Sequence, residues 1–122
     1  MVIIWRSPDN DGWSRPQATI VPETAAGHVR FVNVSPWPAG LEISGERILI
    51  APGRSHVRKP DPAADVPFAL SLPAADGTAT PIHHGTLMID PDERAVVILH
   101  RSDGEAPRRP ARVIVRREPA RR

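Results

Sequence analysis

A chain of 122 residues, 40% hydrophobic and 25% charged, suits one domain with one core, because two halves would each sit near the lower limit of about 40 to 60 residues for independent folding. The lack of cysteine excludes disulfides, thiolate metal sites, iron–sulfur clusters and cysteine nucleophiles, and 15 prolines leave few stretches where a helix could run without losing hydrogen bonds. The formal net charge of +2 conceals a split: from Gly104 onward seven arginines stand against two glutamates, while residues 1 to 103 hold nine basic and twelve acidic residues.

Short apolar runs bounded by Pro, Gly, Asn and Asp are the pattern of an all-β chain with about seven to nine strands and no long helix. Val2 to Arg6 reads as a first strand, closed by the turn-forming run Ser7-Pro8-Asp9-Asn10-Asp11-Gly12. Its few apolar residues are too few for the h-region of a signal peptide, and no run approaches the roughly 20 apolar residues of a membrane helix. Gln17 to Val21 is a second strand. His28 to Ser35 is predicted to be central, since Val29 and Phe31 face one way and Val32 and Val34 the other.

Residues 40 to 51 read as a hairpin turning at Ser44-Gly45-Glu46 and stopped by Pro52-Gly53. From Val66 to Leu72 the apolar residues alternate, so one face is buried, and Pro67 puts the first residues of that strand at an edge. Asp76-Gly77 turns the chain into a strand over Thr80 to Ile89, and Asp90-Pro91-Asp92-Glu93 turns it again. Arg94 to Arg101 contains Ala95-Val96-Val97-Ile98-Leu99, whose β-branched residues suit a central strand. Ser102 to Pro110 reads as a polar linker. Arg112 to Glu118 is the last strand, with Val113 and Val115 inward and Arg112 and Arg116 outward. The domain is expected to span residues 1–118, with a basic tail over 119–122.

No catalytic constellation stands out. His83, His84 and His100 are the set to test for metal, but neighbours on a strand point to opposite faces, so at most one of His83 and His84 can join His100. Zinc needs about three or four protein ligands. Gly53-Arg54-Ser55-His56 is the one Ser-His neighbour pair, and the Gly-x-Ser-x-Gly turn that would present a nucleophile is missing. Asp61, Asp65, Asp90, Asp92 and Glu93 lie in Pro-rich turns, where backbone hydrogen bonding explains them. The reading is a non-enzyme with no cofactor and no metal.

Two features suggest contact with a partner. Arg108, Arg109, Arg112, Arg116 and Arg117 make a basic edge that could meet nucleic acid or an acidic protein, although no aromatic residue lies among them to stack a base. Charged outward residues on a last strand also block edge-to-edge aggregation. Trp37, between Pro36 and Pro38, sits on a stiffened loop that could display its ring for an interface or carbohydrate contact, although the commoner outcome is a ring folded back to cap one end of the sandwich.

Val29-Arg30-Phe31-Val32-Asn33-Val34-Ser35-Pro36, followed by a hairpin and Ala51-Pro52-Gly53, resembles the opening of small bacterial immunoglobulin-like β-sandwich domains of unknown function, over residues 28–53. The resemblance implies a bacterial module, often exported or envelope-associated, with no shared catalytic residues. The expectation is therefore a single antiparallel β-sandwich serving as an interaction or accessory module with a protein partner, a homodimer among the options. The alternative is an anionic-polymer binder, nucleic acid above all, acting through the arginine-rich end.

Overall fold

The computed structural model describes residues 1–5, 17–61, 64–102 and 111–119. These are all-β, with ten strands and no helix. In chain order they are β1 (Val2–Trp5), β2 (Gln17–Ile20), β3 (Val29–Val34), β4 (Ala39–Ile43), β5 (Glu46–Ile50), β6 (Ser55–Arg58), β7 (Val66–Pro73), β8 (Ala79–Leu87), β9 (Glu93–Arg101) and β10 (Ala111–Pro119). They form a two-stranded ribbon β1-β2 and two four-stranded sheets, ordered β10-β9-β3-β6 and β5-β4-β7-β8.

Turn chemistry places several of these strands. Ser44 (φ 51°) and Gly45 (φ 77°) both adopt left-handed backbone, and Ile43 pairs with Glu46, so β4 and β5 are joined by the two-residue turn whose twist matches the strands. Between β7 and β8, Asp76 Oδ1 accepts from the Thr78 backbone N–H at 3.0 Å and from the Thr78 hydroxyl at 2.6 Å. Between β8 and β9, the Glu93 carboxylate accepts from the Asp90 N–H at 3.1 Å and the Glu93 N–H donates to the Asp90 carbonyl at 3.0 Å.

The alternating patterns become buried faces. One core cluster takes Val29 and Phe31 of β3 and Ala95 and Val97 of β9 together with Leu41, Ile43, Val66, Phe68, Leu70 and Leu87 of the other sheet. Phe31 and Phe68 meet there with ring centroids 5.4 Å apart, tilted by 59°. On the opposite face of β3 and β9, Val32, Val34, Val96 and Ile98 form a second cluster with Val21, against which Ile3 and Trp5 of the ribbon pack. The central positions expected for β3 and β9 hold for this reason: both of their faces are covered.

Three expectations are corrected. The described residues contain one strand beyond the nine expected, β6, whose four half-buried residues carry too little apolar pattern to announce a strand. The arrangement is not wholly antiparallel: β3 and β9 run parallel, Val29 beside Ala95 through Val34 beside His100. The local edge expected at Pro67 holds: β7 lies between β4 and β8, but β4 pairs with it only from Phe68 to Ser71, so Pro67 has β8 alone as neighbour and its missing N–H breaks no ladder on the β4 side. Finally, Val115 faces the core side yet is 41% exposed, because β10 is the outermost strand of its sheet. Arg6, Trp13, the turn at Ser7 to Gly12, the linker from Asp103 to Pro110, and residues 120–122 lie outside the described residues.

Candidate functional site

Trp37 owes its position to a buried polar clip. Asn33 ends the core-facing row of β3 and is 1% exposed. Its Nδ2 donates to the Trp37 carbonyl at 2.7 Å and the Ile50 carbonyl at 2.9 Å. Its Oδ1 accepts from the Ser35 backbone N–H at 2.9 Å and the Ser35 hydroxyl at 2.7 Å. The Asn33 backbone is tied as well, to Gly53 and Arg54. The stretch Asn33 to Pro38, with Gly53, is thus a structural clasp that holds the end of β3 to β5 and the following turn, and leaves Trp37 37% exposed.

The arginines of the last strand are sorted by register. Arg112 lies opposite His100, Ile114 opposite Ile98 and Arg116 opposite Val96, so these three share the face that carries the second core cluster. Val113, Val115 and Arg117 lie opposite Leu99, Val97 and Ala95 and share the other face. Val113 packs against two clusters and Ala111 is wholly buried. Residues 111–119 are therefore a structural strand rather than a tail. β10 is terminal in its sheet, and among the described residues no strand pairs with its other edge. Arg112, Ile114, Val115, Arg116 and Arg117 are exposed along it.

Acidic neighbours interrupt this basic stretch at one end. Arg94, beside Glu118 in register, donates to Glu23 at 2.8 Å and approaches Glu118 at 3.7 Å. The hydrogen bond and charge of Arg94 hold the Glu23 carboxyl below its usual range. Arg117 borders a surface hollow shared with Asp92, Glu93 and Glu118. The basic footprint therefore concentrates at Arg112 and Arg116. Trp37 is on a loop after β3, whose last residue pairs with His100, so it lies toward the Arg112 end of the sheet rather than the Arg116 end. Arg108 and Arg109 lie outside the described residues.

The histidines are not brought together. His83 and His84 are on β8, opposite Leu70 and Ala69, and the His83 ring sits against Phe68 with centroids 5.5 Å apart. His100 belongs to the other sheet. Among the described residues no group of three or more His, Asp or Glu side chains is placed to hold a metal ion. Ser55 and His56 also part: the Ser55 hydroxyl accepts from Arg30 at 3.0 Å, while His56 is opposite Phe31 on the other face. A surface hollow near the Ser44-Gly45 turn includes Glu42, Glu46, Arg47 and His84, but Glu42 is paired with Arg47 at 2.6 Å and Glu46 with Arg58.

Sequence reasoning named the arginines and missed Ile114 as part of the same row. The available signal was the run Val113-Ile114-Val115, which puts apolar residues on both faces of a strand flanked by charge. Comparison with protein families, curated proteins and solved structures finds no match to this chain.

Proposed function

We propose that this chain is a non-catalytic interaction or accessory module, built as a single immunoglobulin-like β-sandwich of bacterial type, and that β10 is the edge at which it meets a protein partner. The sandwich reading is supported by a core cluster that takes residues from both four-stranded sheets. The resemblance over residues 28–53 supports the same reading, since Asn33, Ser35 and Gly53 serve a structural clasp rather than chemistry. The observation that carries the binding reading is β10 itself, a nine-residue terminal strand with Ile114 48% and Val115 41% exposed among three arginines. Strand edges with exposed apolar side chains favour association, and the arginines then restrict which partners are accepted.

A second reading is favoured by one observation: Arg112 and Arg116 share an exposed face, as an anionic polymer would require. Carboxylates at Glu23, Glu118, Asp92 and Glu93 crowd the far end of that strand and limit a continuous phosphate track.

The test is affinity capture from host lysate and envelope fractions with the full chain and with the triple variant Arg112→Glu/Arg116→Glu/Arg117→Glu, washed at low and high salt. A protein kept by the parent and released by the variant is the expected result. Equal capture by both removes β10 from the reading. Nucleic acid held only at low salt, and lost in the variant, replaces it with the anionic-polymer reading.

A further inference from the structure

Strand β10 offers more than an exposed edge, because its register fixes which side chain of an added strand each of its own would meet. A strand joining the edge of β10 that no strand pairs with among the described residues places its residues directly opposite those of β10, on the same faces and at the same two-residue spacing. On one face the order is Arg112, Ile114, Arg116, and on the other Val113, Val115, Arg117. The complementary side chains are acidic, apolar, acidic on the first face and apolar, apolar, acidic on the second.

We infer that β10 takes, by antiparallel strand addition, an extended acidic segment of a partner protein whose side chains read acidic, acidic, apolar, apolar, apolar, acidic from its N-terminal end. This rests on the reading of β10 as the binding edge and names the partner class. Antiparallel addition is chosen because its ladder is the more stable per residue. The first two acids meet Arg117 and Arg116, the three apolar residues extend the rows of Val115, Ile114 and Val113, and the last acid meets Arg112. Backbone groups supply affinity, and the charges supply register and partner choice.

A second copy of this chain fits the edge less well. Antiparallel pairing of two β10 strands about Val115 would set Arg112 against Glu118 of the second copy, a carboxylate already beside Arg94. Arg116 and Arg117 of each copy would then face Ile114 and Val113 with no acid opposite, adding like charge along the joint.

The experiment uses the full chain and a capped peptide, Glu-Glu-Val-Ile-Val-Glu, read by fluorescence anisotropy at low and moderate salt. Three companions accompany it: a scrambled peptide of the same composition, the same sequence N-methylated at alternate amides, and a Lys-Lys-Val-Ile-Val-Lys peptide. Binding to the first, at least about tenfold weaker binding to the scrambled and N-methylated forms, and weakening with salt are expected. The Arg112→Glu/Arg116→Glu/Arg117→Glu variant should lose the glutamate peptide and gain the lysine peptide, a reversal that an unfolded variant could not show. Equal binding of the scrambled or N-methylated peptide overturns the inference, since attraction without strand pairing would then suffice. No peptide binding while the lysate capture still separates parent from variant overturns it too, and leaves the module reading standing. A dimer of the parent chain in sedimentation, lost in the variant, overturns it in favour of a second copy.

Discussion

Asn33 uses the whole hydrogen-bonding capacity of its amide inside the core, two donations and two acceptances. Removing it takes the side-chain partner from the Ile50 carbonyl and the Ser35 N–H and leaves the Trp37 carbonyl with the Ser35 hydroxyl alone, at 3.1 Å, and an unpaired buried polar group costs more than its hydrogen bond returns. Asn33→Ala is expected to lower stability by about 3 kcal/mol, read as a shift of the urea midpoint. Ser35→Ala should cost less, since Asn33 keeps three of its partners. His56 is one residue that makes the fold sensitive to pH. Burial comes first in pushing its pKa below the ordinary 6.5, the charge of Arg58 adds to this, and Glu46 opposes it; its Nε2 is buried with no hydrogen-bond partner. At His56 the unfolded chain therefore binds the proton more readily than the folded one, so its contribution to stability falls as pH drops below about 6.5 and levels off once its folded-state pKa is passed. His56→Gln should flatten that segment of the stability profile, measured by thermal unfolding between pH 7 and about 5.

At the scale of elements, the β4–β5 hairpin was readable because left-handed backbone has few suitable residues. Ser44 is the weaker of the two, a serine where asparagine or glycine is preferred. Ser44→Asn is expected to add about 0.5 kcal/mol, and Gly45→Ala to cost about 1 kcal/mol. Nothing lies within 4 Å of a methyl group at Gly45, so the second cost is purely backbone conformation; both are checked by denaturant unfolding. The last strand was legible as a strand and as an edge, but the exposure of its inward-facing Val115 was not. Alternation reports which way side chains point, whereas neighbour order depends on which strand pairs with which. One consequence is direct. Deleting residues from Gly104 onward removes the β10 partner of all nine residues of β9, six of which keep β3 on the other side, and takes away the inward face of β10, so that deletion is expected to abolish cooperative unfolding in circular dichroism rather than merely remove charge. Point charge reversals on β10 are the sound way to test its surface.

For the molecule as a whole, the contact of Phe31 with Phe68 joins strands of the two four-stranded sheets. Phe68→Ala is expected to cost about 3 to 5 kcal/mol, and a double-mutant cycle with Phe31→Ala should leave a coupling of about 1 kcal/mol. The Arg58–Glu46 ion pair also joins the sheets, between β6 and β5. It is partly exposed, so its loss should matter less than that of the rings.

What the sequence determined by itself was local: an all-β chain, the hairpin at Ser44-Gly45, the turns at Asp76 and Asp90, and the two-sided burial of β3 and β9. Each follows from backbone conformations that few residues allow, or from side-chain alternation within a handful of positions. Only the tertiary structure decided that β3 and β9 run parallel, that β6 exists as a strand, and that Asn33 is a clasp. Only there do Arg112, Ile114 and Arg116 form one row on an edge that no strand pairs with among the described residues. These depend on pairings between residues far apart in the chain, where closing the loop and burying both faces outweigh any preference that a short segment carries.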